Sequence, residues 1–269
     1  MRKHLAATLY FVAIFLVVTP ITYAERIKLK ILQYEALDYG YYPELIEASL
    51  ASINIDVEWE TASPDIAMAS ANLWLIKGEI DLHWFMHTKV RDQQHLAIPV
   101  GLTENLISNR ILLIAPGSQQ GFDNISNLDD FRNSKKTAGF GKDWYDVDVW
   151  EHNNLAYYEH QGKWQNLGPM LLKGNRGIDY VSFGINQIQS VMTAFPGLKI
   201  EENLLLTYDN DFQFYVSKHS AHLHPILLKA LLNAKKIGLI NKLAKKYWQE
   251  PVSKLNLDQR IKLKLKPPS

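Results

Sequence analysis

Thr88 and Arg91 stand three apart, just past a short apolar run that ends at Met86. A guanidinium is a planar fork of donors that grips a carboxylate by two parallel hydrogen bonds. The threonine hydroxyl adds a further polar contact. In open α/β sheets, ligands sit beyond the carboxyl ends of the strands, which is where this pair would lie. The plainer account of the same residues is a surface arginine at a turn. Just upstream, Gly78 reads as a helix stop and Asp81 as a residue that caps or braces the start of the next strand.

The histidines support no metal centre. His219, His222 and His224 fall close together, but a zinc site needs ligands that converge on one point, with groups behind them to orient each ring. Here they precede a helix with no acidic residue close by, so they read as a solvated loop. His83 and His87 are four apart at a strand end, on one face but too far apart to share a metal easily. The chain has no G-x-S-x-G, H-E-x-x-H, Walker loop or G-x-G-x-x-G. Gly139-Phe140-Gly141 lacks the Lys-Ser/Thr ending of a phosphate loop and reads as a bend that needs small residues. No metal and no cofactor is expected.

Residues 1–24 read as a secretory signal, with Arg2 and Lys3 ahead of the apolar run Leu5–Val18 and Ala24 at the small-residue cleavage position. The expected mature chain, 25–269, is long enough for one large domain or two lobes with their own cores. The 29 basic and 28 acidic residues nearly balance, which gives no sign of a nucleic-acid or anionic-membrane surface. With no cysteine, an exported chain has no disulfides, no thiol catalysis and no Cys-ligated metal.

The elements that must position Thr88 and Arg91 alternate along the chain. Strands are expected at 27–33, 56–60 and 80–86, with helices at 42–53 and 66–77 between them. A long strand-like run, 106–115, leads into a second unit. Its helices are expected at 127–133 (Asn127 as cap), 146–154, 165–173 and 185–195, and its strands at 137–140, 156–159 and 178–183. Runs 204–208 and 212–217 read as strands that return to the first unit, followed by helices at 224–237 and 240–248. The tail from Pro251 reads as polar and basic. This alternation is that of an α/β fold with largely parallel sheets.

In order and spacing, these pieces resemble the family 3 extracellular solute-binding proteins, of the periplasmic-binding-protein type 2 fold. Gly78–Asp81 matches G-x-x-D, Thr88–Arg91 matches T-x-x-R, Asn127–Phe131 is similar to S-L-x-D-L, and Leu172–Asp179 resembles a second G-x-x-D. Phe212–Lys218 resembles the return strand and Leu243–Tyr247 the closing L-x-x-K-Y. A less characterised branch is closer still, through G-x-G-x-x-W-x-D-V at Gly139–Val147, L-x-x-M-L at Leu167–Leu171 and D-Y-x-x-x-G-x-x-x-I at Asp179–Ile188. The resemblance implies a two-lobe α/β fold, each lobe a mixed, mostly parallel sheet flanked by helices. It divides the chain into a signal peptide (1–24), the first part of lobe 1 (25–110), lobe 2 (111–212), and a return to lobe 1 with the C-terminal helices and tail (213–269). The crossing strands, near Asn109–Leu112 and Phe212–Val216, would be the hinge.

The resemblance also implies site residues. Arg91 would hold a ligand carboxylate with Thr88 beside it, Tyr34 and Trp84 would be aromatic walls, and Asp143 and Trp144 would face the cleft from lobe 2. Arg110, on the first crossing strand, joins this ligand-binding set. One departure stands out: the acid that usually holds a ligand ammonium is absent from Val181–Asn186. The expectation is a periplasmic, non-enzymatic, monomeric binder of a small polar solute, working with a membrane permease or sensor and with no nucleic acid. Two alternatives stay open: a ligand-free protein-interaction module, and a dehydratase-like enzyme using His83, Glu35 or Asp143.

Overall fold

The computed structural model describes residues 25–32, 40–62 and 68–268. In chain order its strands and helices are β1 (Glu25–Leu32), α1 (Tyr41–Ala51), β2 (Ile55–Ala62), α2 (Met68–Lys77), β3 (Leu82–Met86), α3 (Lys89–Gln94), β4 (Leu96–Ile98), β5 (Asn109–Ile114), α4 (Leu128–Asn133), β6 (Ala138–Gly141) and α5 (Tyr145–His152). Then come β7 (Tyr157–His160), α6 (Leu167–Leu172), β8 (Tyr180–Gly184), α7 (Ile188–Ala194), β9 (Lys199–Ile200), β10 (Leu204–Thr207), β11 (Phe212–Val216), α8 (His224–Lys236), α9 (Leu239–Ser253) and β12 (Ile261–Lys264). Residues 1–24, with the expected signal, and Tyr34 and Glu35 lie outside the described residues.

The first lobe holds two small sheets. β1 and β2 run parallel, and β11 is inserted between β3 and β4, antiparallel to both. Asp81 joins the two. Its backbone N–H donates to the Lys30 carbonyl at 2.8 Å, and its carboxylate accepts the Lys30 N–H at 2.8 Å and the Ser220 hydroxyl. Asp179 repeats the device in the second lobe. There the Thr137 N–H donates to its carboxylate at 2.8 Å and its own N–H donates to the Thr137 carbonyl at 2.9 Å. In both lobes the aspartate just ahead of a strand ties that strand to its neighbour.

The second lobe is one sheet ordered β12-β10-β5-β8-β6-β7, with β9 also on β5. β6 is parallel to β7 and β8, and β10 to β12, whereas β5 runs against β8, β9 and β10. The architecture is therefore the two-lobe mixed α/β arrangement expected. The strands adjoining the crossings, β5 and β11, supply the antiparallel pairings.

Three expectations are corrected. The crossings are the irregular segments Thr103–Ser108 and Tyr208–Asp211; Asn109–Leu112 and Phe212–Val216 already sit inside the sheets of their lobes. Residues 106–108 form a 3-10 turn, so β5 starts only at Asn109. The tail does not end in lobe 1: its IKLK run is β12, paired with β10 in the second lobe and burying Leu263. Alternating lysines face water there, which is why the segment reads as a basic tail.

Asp211 clamps the two crossings. Its carboxylate accepts the Thr103 N–H at 3.1 Å, the Thr103 hydroxyl at 2.5 Å and the Asn105 N–H at 3.1 Å. Gly101 lies so close that an added Cβ would stand 2.8 Å from the carboxylate, so the clamp needs glycine there. Asp211→Ala strands these donors. The expected loss of unfolding free energy, about 1–3 kcal/mol, is read from urea denaturation. An unchanged midpoint would contradict the clamp.

Candidate functional site

Arg91 is placed by its own helix start. Thr88, extended at φ −147°, caps α3, and its Oγ accepts the Arg91 N–H at 3.1 Å. The Tyr215 hydroxyl, reaching from β11, accepts the Thr88 N–H and donates to Asp92 Oδ1 at 3.2 Å. Asp92 Oδ2 is 2.9 Å from His87 Nε2. The half-buried Arg91 side chain then turns back over the Phe85 ring, 5.0 Å from its centroid, and Nη1 donates to the Met86 carbonyl at 2.6 Å.

The facing wall belongs to the second lobe. β6 ends at Gly141, and the chain turns through Asp143, at φ +61°, into α5. The Asp143 N–H donates to Glu159 Oε1 at 3.0 Å. The first turn of α5 presents Tyr145 and Asp148. Asp148 and Asp143 lie within electrostatic range of Arg91. Burial lowers the Arg91 pKa, and these carboxylates, together with Tyr215, oppose that shift. Partial burial raises the Asp148 carboxyl, while Arg91 pulls it back down. Asn210, on the second crossing, links the walls: its Nδ2 donates to the His87 carbonyl at 2.9 Å and its side chain bonds the Tyr145 hydroxyl. Among the described residues no carboxylate lies within 4.0 Å of the Arg91 guanidinium.

Thr88 and Arg91 thus stand together, and Asp143 lies within electrostatic range of Arg91. Trp84 does not join them: it is 5 % exposed and stacks on Tyr42, 4.2 Å between ring centroids, in the first-lobe core. As an inward residue of β3 it fills volume and forms no wall. Arg110 is likewise a support, 3 % exposed. Its Nη2 lies 3.1 Å from Asp146 Oδ1 and donates to the Ser182 carbonyl at 2.8 Å, and Nη1 donates to the Ile107 carbonyl at 3.2 Å, so the guanidinium is buried on protein partners. Trp144 is half-buried against Phe183, 5.5 Å away, and leans over Gly141. Tyr34 lies outside the described residues. Sequence reasoning missed Asp148, Tyr145, Asn210 and Tyr215. The spacing Asp143, Asp146, Asp148 at a strand-to-helix junction was a usable signal for the first two, whereas Asn210 and Tyr215 arrive from distant sequence.

His83 and His95 lie behind Arg91, 1 % and 2 % exposed. Burial, then the Arg91 charge, pushes His83 down to about 3; burial, Arg91 and Lys218 push His95 down to about 4. The unfolded chain takes up these protons below about pH 6.5, so stability is lost as pH falls from there. At pH 5 the loss is about 2 kcal/mol for each histidine. The buried Asp146 and Asp211 carboxyls, both pushed up by burial, act in the opposite direction. The readout is therefore the difference between proteins. His95→Gln, which keeps a partner for Asn72 Oδ1 (now 2.7 Å from His95 Nε2), should lose about 2 kcal/mol less than wild type between pH 7 and pH 5 in chemical unfolding. Equal losses would show that His95 charges freely in the fold.

No protein-family model matches the chain, and no curated protein matches it. Solved structures do. The chain is similar to an amino acid ABC transporter substrate-binding protein from Streptococcus pneumoniae bound to L-arginine, at 16 % identity and TM-score 0.60, over 84 % of this chain and 96 % of that one. It is similar to an ancestral arginine-binding protein bound to glutamine, at 17 % identity and TM-score 0.58, over 82 % and 97 % of the two chains. It is also similar to the AvGluR1 ligand-binding domain in complex with glutamate, at 19 % identity and TM-score 0.59, over 84 % and 96 %. What is shared is the two-lobe fold, across almost the whole of each compared chain.

Proposed function

We propose, on a chain with the two-lobe fold of these binding domains, that it captures a small carboxylate-bearing solute between its lobes and releases it to a membrane partner, a permease or a sensor. The single observation that carries this reading is the Arg91 guanidinium. It is half-buried at the gap and held in place by Thr88, Phe85 and the Met86 carbonyl. No described carboxylate is within 4.0 Å of it, and an acidic wall stands opposite. A half-buried cation is stabilised by an anion that forks onto it. Asp143 and Asp148 then face the other end of the solute and favour a cationic group there, in place of the acid missing from Val181–Asn186. The solute bridges both walls and stabilises the closed arrangement by contacts that the open one lacks. The three relatives above were solved with arginine, glutamine and glutamate, each an amino acid with a carboxylate, which agrees with this chemistry.

The reading assigns no catalytic chemistry. His83 is buried, and burial and the Arg91 charge push it down to about 3, so it is not an imidazolium at working pH. Residues 1–24 would export the chain to the periplasm, and among the described residues no helix is long and apolar enough to cross a membrane. A thermal-shift panel of L-arginine, L-glutamine, L-glutamate, polyamines and dicarboxylic acids tests the reading. A true ligand at a hundred times its Kd adds about 2.7 kcal/mol to the unfolding free energy. At least one carboxylate compound should raise Tm. A panel in which none does would remove the carboxylate assignment.

A further inference from the structure

We infer that the C-terminal segment from Glu250 to Lys266 is a strap, a third tether between the lobes that limits how far the gap opens. The inference rests on the lobe-closure reading above. The first three turns of α9 belong to the first lobe. Ile240, Leu243, Ala244 and Trp248 are buried, Trp248 lies 4.1 Å from the Tyr41 ring, and Lys246 Nζ and the Tyr247 hydroxyl both reach the Glu44 carboxylate at 2.6 Å.

The chain then leaves that lobe at Pro251, still inside α9. Proline has no N–H, so the bond to the Tyr247 carbonyl is missing and the helix is weakest where it crosses. Beyond Pro251 the second lobe takes over. Leu255 is buried in its core, and Val252 packs against that core as well. Arg260, 9 % exposed, donates to the carbonyls of Leu255, Glu201 and Leu204 at 2.8, 2.6 and 3.0 Å. β12 comes next, and the Leu265 N–H donates to the Thr207 carbonyl at 2.7 Å. Asn153 closes the attachment by accepting the Lys266 N–H at 2.9 Å and donating to the Lys266 carbonyl at 2.8 Å. Asn153 directly succeeds α5, the helix whose first turn faces Arg91. The strap therefore ends on the wall that has to move.

Two adjoining crossings allow both bending and twisting. A third attachment away from them resists both, because it must lengthen as the lobes part. Little slack exists. Only the six residues Gln249–Lys254 separate Trp248, packed on Tyr41 in the first lobe, from the second-lobe anchor at Leu255. Helical chain rises 1.5 Å per residue against about 3.3–3.6 Å when extended, so length is gained only by unwinding the end of α9. A groove of about 250 Å³ lies between α7 (Ile188, Met192) and the strap (Pro251, Leu255).

The chain has no cysteine, so Lys89→Cys and Lys163→Cys, on exposed positions of opposite lobes, introduce the only thiols for paired spin labels. Distances are measured by pulsed electron resonance without ligand and with each of L-arginine, L-glutamine and L-glutamate. A Gly-Ser-Gly-Ser insertion between Ser253 and Lys254 leaves both anchors in place and adds slack. It should lengthen and broaden the ligand-free distribution and weaken any ligand that selects the closed state. Pro251→Ala restores the helical N–H and should narrow the distribution; it serves as the readout should the insertion fail to fold. Distributions unchanged by the folded variants would overturn the strap. A wild-type distribution that none of the ligands shifts would count against lobe closure on these solutes, while the ligand-free comparison among variants would still decide the strap.

Discussion

Asp146→Ala is expected to lower the unfolding free energy by about 3–5 kcal/mol, the range for removing one partner of a buried ion pair. Asp146 and Arg110 are 5 % and 3 % exposed and 3.1 Å apart, and the Tyr208 hydroxyl donates to the same carboxylate at 3.0 Å. Burial raises the Asp146 carboxyl, and the Arg110 charge and the Tyr208 hydrogen bond oppose that shift. Alanine would leave Arg110 buried with only carbonyl and hydroxyl partners, Ser182 and Ile107. The pair also joins three parts that must keep register: the start of β5, the first turn of α5 and the second crossing. Denaturant unfolding should show a lower midpoint at unchanged slope. Asp146→Asn, which retains a hydrogen-bonding side chain but not the charge, should lose less. Wild-type stability in the alanine variant would mean that the pair contributes no net stabilisation.

The second large effect is on binding. Arg91→Ala should weaken the best carboxylate ligand of the panel by about 2–5 kcal/mol, roughly thirtyfold to several thousandfold, because the ligand anion is left unpaired between two lobes. Arg91→Lys should recover part of this, since a single ammonium replaces the charge but not the fork. Stability should change far less than affinity, because Arg91 is only half-buried. Titration calorimetry separates the two effects. Unaltered affinity in Arg91→Ala would remove this residue from the site.

Much of the framework was legible because burial imprints a period on sequence. β1 alternates Ile27, Leu29 and Ile31 inward with Lys28 outward, and Asn127 caps α4 by accepting the Asp129 and Asp130 N–H groups at 2.9 Å. Arg91 and Thr88 were legible because the apolar run of β3 breaks off at Met86, and polar residues take over at once. α3 left no trace, since its six residues bury nothing and so carry no apolar rhythm. β12 was hidden by the opposite problem: an alternating strand whose outward positions are all lysine looks like a charged tail. Trp84 and Arg110 show the limit on the site itself. An aromatic or a guanidinium near a strand end has the right chemistry for a ligand, but whether it faces a gap or a core is decided by partners such as Tyr42 and Asp146 that come from elsewhere in the chain.

A crystal structure of the protein with the strongest carboxylate ligand of the panel is the most direct test. The ligand should lie between the lobes, with its carboxylate forked on Arg91 at hydrogen-bond distance and its opposite end facing Asp143 and Asp148. A ligand seated elsewhere, or an Arg91 turned away from it, would contradict the account.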